Sequence, residues 1–149
     1  MQGKIMNIYY INHTLFESSY RCKTVRKRLA QYIVKDKPKA IIVSGVKNGN
    51  TTMINQFKEM VQQLGIIAIV DNGQHQLFNQ KIVVSDTNLL INNKLITPIE
   101  GSVSVIKCNP FFLQYIVLDI FADETFADYH SDLDEHHIQQ LSELLTNKQ

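Results

Sequence analysis

Three stretches of the chain carry side chains of the kind that do chemistry. The first contains Ser44, Gly45, Lys47, Gly49, Asn50, Thr51 and Thr52 and lies between an apolar run and a helical period. Free backbone N–H groups at such a helix start, together with the helix dipole, favour a phosphate. It is not a Walker A loop, because only Val46, Lys47 and Asn48 separate its glycines and no Gly-Lys-Ser/Thr follows. The same composition also makes an ordinary Gly/Asn turn with a threonine helix cap. The second stretch is acidic: Asp119, Asp123, Glu124, Asp128, His130, Asp132, Asp134, Glu135, His136 and His137. Carboxylates suit Mg²⁺ and imidazoles suit transition metals. Adjacent His136 and His137 would point about 100° apart on a helix, however, so they do not form an HExxH-type pair. A solvated acidic loop running into a helix N-terminus accounts for the same residues. The third stretch is basic, with Arg21, Lys23, Arg26, Lys27 and Arg28 on one helical segment, and it would touch phosphates or form a solvated face. No spacing links His13, His75 or His130 to a cysteine or serine as a nucleophilic constellation.

The elements that must position these groups follow from hydrophobic periodicity. Residues 5–11 read as a strand, and 13–19 have loop character. From Tyr20 onward Cys22, Val25, Leu29, Tyr32 and Ile33 fall on one helix face, and Pro38 ends that unit. Residues 40–44 read as a buried strand. Met53, Phe57, Met60, Val61 and Leu64 trace a second helix closed by Gly65 at a C′ position. Thr52 lacks the Glu/Gln of a full capping box, having Asn55 three residues on. Residues 66–70 form a third strand, followed by a turn at Asp71-Asn-Gly. The β-α-β-α-β alternation implies a parallel or mixed sheet with right-handed crossovers. After it come strand-like runs at 81–85, 89–91, 94–97, 102–107 and 112–121, with Asn92-Asn93 as a two-residue hairpin turn. These predict an antiparallel meander. A last helix starting near Ser131 or Asp132 would turn Ile138, Leu141, Leu144 and Leu145 to the core. The fold class is therefore α/β, with α+β character in the second half.

Bulk properties bound the rest. A chain of 149 residues with 44% hydrophobic and 19% charged residues is expected to form one globular domain over residues 1–149. No apolar stretch approaches the length that crosses a bilayer, and the N-terminus reads as a strand and not as a signal peptide, so a cytoplasmic location is expected. Cys22 and Cys108 have no metal-type spacing and are read as reduced thiols. The net charge of +1 hides a segregation. Residues 1–47 hold ten Lys/Arg and two acids, a net of +8, while residues 115–149 hold eight acids and one lysine, a net of −7. Either the basic half faces an anionic partner or the two ends attract each other. Exposed strand edges in the second half would also allow a homo-oligomer.

Two resemblances arise from these residues. The Gly49-Asn-Thr run is similar to the phosphate loop of flavodoxin-like proteins, which would imply a bound flavin, although there the loop follows the first strand. More of the chain resembles the endonuclease/exonuclease/phosphatase, DNase I-like, family. The stretches are Ile8-Tyr-Tyr-Ile-Asn, Arg26-Lys-Arg-Leu-Ala-Gln-Tyr-Ile-Val, Lys37-Pro-Lys-Ala-Ile-Ile-Val-Ser-Gly, and the strand at 115–121 with the helix around Ile138. That resemblance implies metal-assisted phosphodiester hydrolysis, with Asn12 at the metal-binding asparagine and Asp119, Asp123, Asp128 and His130 as further candidates, and Mg²⁺ as the cofactor. The family's glutamate is missing where the second strand ends Val43-Ser44-Gly45-Val46. Its mid-chain histidine is missing where the chain reads Leu118-Asp119-Ile120-Phe121. The leading expectation is thus a non-catalytic module that binds nucleic acid or a protein partner through the basic half, with a metal-dependent phosphodiesterase as the alternative and a flavin domain third.

Overall fold

The computed structural model describes residues 6–16, 20–45, 51–77, 80–97, 103–108 and 116–121, with side chains described over 7–16, 25–45, 52–77, 80–97 and 103–107. Strand β1 (Met6–Asn12) leads through a 3-10 turn, η1 (His13–Phe16), to α1 (Tyr20–Asp36) and β2 (Ala40–Ser44). Helix α2 (Thr51–Gln63) and β3 (Ile67–Ile69) complete the expected alternation. Next come four short strands, β4 (Gly73–Leu77), β5 (Gln80–Val84), β6 (Leu89–Ile91) and β7 (Lys94–Ile96), and finally β8 (Val103–Cys108) and β9 (Ile116–Phe121).

The strands form two sheets. The first is five-stranded and mixed, in the order β3-β2-β1-β8-β9. Strands β1, β2 and β3 are parallel, β8 runs antiparallel to β1, and β9 antiparallel to β8. The second is the antiparallel meander β4-β5-β6-β7. The α/β reading with a mixed sheet and a later meander therefore holds. The strands at 103–108 and 116–121, however, leave the meander and extend the first sheet beyond β1, and residues 73–77, which the pattern did not mark as a strand, form β4. The helix expected from residue 131 lies outside the described residues.

Side-chain alternation explains the layers. In β1, Tyr9 and Ile11 join Ile41, Val43, Val103 and Val105 in a core shared with Val25, Leu29 and Ile33 of α1 and Ile54, Phe57 and Val61 of α2. Ile8 and Tyr10 point the other way, joining Ala40, Ile42 and Ile106 in a second core against Ile82, Val84, Leu89 and Ile91 of the meander. The central strands are thus buried on both faces, which is why β2 reads as an unbroken apolar run. The meander is buried on one face and alternates, as Gln80–Val84 does.

Local chemistry sets the element ends. Lys37 adopts a left-handed φ of 49° and its N–H donates to the Ile33 carbonyl at 3.0 Å, the αL stop, and Pro38 cannot continue the helix. Gly65, at φ 82°, closes α2 with the paired bonds of a Schellman motif, Ile66 N–H to the Val61 carbonyl and Gly65 N–H to the Gln62 carbonyl. Asn92 and Asn93 have φ of 49° and 70°, the two positive values a type I′ hairpin requires.

The side chain of Arg26, read from sequence as a phosphate contact, is 1% exposed. Its Nη1 donates to the carbonyl of Leu15, which ties α1 to η1. Replacing it by leucine strands a buried carbonyl and alters packed volume, so Arg26→Leu should cost about 2–4 kcal/mol. Lys27→Ala, on the exposed face, should stay within about 0.5 kcal/mol. Urea denaturation checks both; equal midpoints for Arg26→Leu and the parent would refute the structural role.

Candidate functional site

In open sheets with parallel strands, ligands gather at the carboxyl ends of the strands, so that end comes first. There Asn12 of β1 lies opposite Ser44 of β2 in register. The carboxamide of Asn12 is turned to local use: Oδ1 accepts the Thr14 N–H at 2.9 Å and opens η1. Ser44 is fully buried. Its Oγ lies 2.7 Å from the Tyr10 hydroxyl and 3.5 Å from the Asn88 carbonyl, so Tyr10 donates to Ser44 and Ser44 to Asn88. This relay ties the first sheet to the loop that enters β6. Burial raises the Tyr10 phenol above its usual 10.0, and the bond to Ser44 opposes that shift more weakly.

Beside the relay, Gly45 packs against the imidazole of His13. A Cβ at Gly45 would fall 2.3 Å from His13 Nδ1 and 3.0 Å from the Asp86 carbonyl, and the φ of 80° is itself one that favours glycine. His13 Nδ1 is buried there without a hydrogen-bond partner. Gly45 therefore serves close packing of η1 against β2 and the loop at Asp86. The rest of the expected phosphate loop, Lys47, Gly49 and Asn50, lies outside the described residues. Thr51 begins α2, and Thr52 is exposed on it.

The acidic candidates divide similarly. Asp119 lies in β9 opposite Val105, with its side chain outside the described set. Asp123, Asp128 and His130 lie outside the described residues altogether. Among the described residues no three His, Cys, Asp or Glu side chains are placed to hold a metal.

The opposite, amino end of the parallel strands carries what the sequence reading did not single out. Lys35 in the last turn of α1, Lys37 at its stop and Lys39 before β2 are all exposed. Their backbone is pinned: Lys39 N–H donates to the Asn7 carbonyl at 2.9 Å, and the Lys39 carbonyl accepts the Ile67 N–H at 3.2 Å. The acid among them, Asp36, accepts from the Tyr9 hydroxyl at 2.8 Å and from Asn7 Nδ2 at 2.7 Å. Of the predicted basic set, Lys27 is exposed, Arg28 is half-buried, Arg26 is buried, and the side chains of Arg21 and Lys23 lie outside the described set. The available signal was the alternation of Lys35, Lys37 and Lys39 about a helix-ending Pro38.

The chain matches no family model, no curated protein and no solved structure. Among the described residues no helix is long and apolar enough to cross a membrane.

Two measurements test the carboxyl end. Gly45→Ala should destabilise by more than about 2 kcal/mol, since strain and clash add, and adding His13→Ala should recover the clash alone. A double-mutant cycle with no coupling would refute that packing. Because the folded state keeps the Tyr10 proton more tightly than the unfolded state, the contribution of Tyr10 is intact below its ordinary value of 10.0 and is lost as pH rises above that value. Tyr10→Phe should therefore lose less stability than the parent as pH is raised beyond 10.0, and parallel pH profiles there would contradict the assignment.

Proposed function

We propose that the chain is a non-catalytic binding module whose partner is nucleic acid, engaged by the lysines at the amino end of the parallel strands. The observation that carries this reading is the exposed row Lys35, Lys37 and Lys39 on a hydrogen-bonded backbone, with Lys27 on the outer face of the adjoining helix. Each lysine set on a phosphate releases counterion and adds affinity that falls with salt. The reading moves the contact away from Arg26, whose guanidinium is committed to the Leu15 carbonyl.

The metal-dependent phosphodiesterase reading, and with it the DNase I-like resemblance, rests on Asn12 at the end of β1. Against it stand the use of Asn12 Oδ1 as a cap and the presence of Ser44, not a carboxylate, as its strand partner. A flavin at residues 44–52 would rest on a loop mostly outside the described residues.

Fluorescence anisotropy with a labelled oligonucleotide at low salt tests the proposal. The Lys35→Ala, Lys37→Ala, Lys39→Ala triple variant should bind at least ~10-fold more weakly, with the log–log salt slope reduced by about 2–3. Unchanged binding by a folded triple variant would sink this assignment, and binding of an acidic protein but of no oligonucleotide would point to the protein-partner form of the module.

A further inference from the structure

Resting on that reading, we infer that the lysine edge fits double-helical nucleic acid held by its phosphates, and not an unstacked single strand. Proteins that hold single strands without sequence preference rely on exposed aromatic rings on which the bases stack. Among the described residues, the tyrosines of β1 and α1 beside the lysine edge are not exposed. Tyr9 is 1% and Tyr32 7% exposed, and both belong to the core beneath the helices. The Tyr9 hydroxyl is held by Asp36 Oδ2 and by the Tyr32 carbonyl at 3.3 Å, so the ring cannot swing outward without breaking the link between β1 and the end of α1.

The lysines differ from the tyrosines in being exposed while their backbone is fixed. Lys37 is locked by the helix stop and followed by buried Pro38, and Lys39 is bonded on both sides, to Asn7 and to Ile67. A row with fixed Cα positions suits a partner of regular, dense charge, and a duplex carries one charge per about 1.7 Å of its axis. Lys27, exposed eight residues before Lys35 on α1, lies about 12 Å along the helix and about 80° round it from Lys35, so it adds positive charge on a neighbouring face and not to the row itself. Lysines act as point charges and lack the planar fork with which arginine reads a base edge. Binding should therefore be independent of sequence.

The test compares a short mixed-sequence duplex, a second duplex of unrelated sequence and each separated strand by anisotropy, across a salt series. The duplexes should bind at least ~10-fold more tightly than the strands and within about threefold of each other, and the Lys37→Ala, Lys39→Ala double variant should lower the salt slope by about 2. A strand bound as tightly as its duplex would overturn this inference while leaving the nucleic-acid reading in place. An unaltered slope in the double variant would also overturn it. No binding to either form at low salt would overturn both.

Discussion

The burial of β1 on both faces is the constraint from which the architecture follows. Ile8, Tyr9, Tyr10 and Ile11 are at most 1% exposed, so β1 must have cover above and below and a strand on either side. Its parallel partner β2 arrives through α1, and the right-handed crossover places that helix over Tyr9 and Ile11. Its antiparallel partner β8 arrives only after the meander has been laid over Ile8 and Tyr10. A one-residue slip in either pairing would exchange the two cores, because Tyr9 and Tyr10 would trade faces.

That geometry buries polar groups beneath the first sheet, where Tyr10 and Ser44 bond each other while the hydroxyl of Ser104 has no hydrogen-bond partner. Tyr10, Ser44 and Asn88 form a chain of hydrogen bonds from the first sheet to the loop between β5 and β6, and Ser85 Oγ donates to the same Asn88 carbonyl at 3.1 Å. A buried hydroxyl without a partner costs more than a made bond contributes, so the relay specifies where the β5–β6 loop seats against β2 more than it stabilises the fold. The residues that looked most like a reaction centre, Asn12, Ser44 and Gly45, are bound up in this inner fit.

Much of the fold was legible because hydrophobic period reports burial directly. The stop at Gly65, the Asn92-Asn93 turn and the inward face of α1 at Val25, Leu29, Tyr32 and Ile33 all came through. In α2 the inward face centres on Ile54, Phe57 and Val61, with Met53, Met60 and Leu64 only partly buried, a rotation too small for the pattern to resolve. Strand β4 was missed because Gly73–Leu77 is polar and lacks β-branched residues; its pairing with β5 imposes the strand. The return of β8 to β1 was invisible because apolar alternation does not name a partner. The site was less legible than the fold. Charge counts do not say which cation is buried, and Arg26 and Lys27, neighbours in sequence, end on opposite sides of the surface.

The lysines of the amino edge have a structural use as well, and magnitudes decide how far it accounts for them. Lys35 and Lys37 sit at the C-terminus of α1, where the helix dipole presents about half a negative charge and each cation contributes at most about 1 kcal/mol. Asp36 adds one negative charge, which is already accepting two hydrogen bonds. Lys39, beyond the helix end, gains little from the dipole. Lys37 and Lys39 stand exposed on a backbone fixed by the helix stop and by the sheet. The dipole accounts for the placement of Lys35 and Lys37 at the end of α1, and it does not account for Lys39.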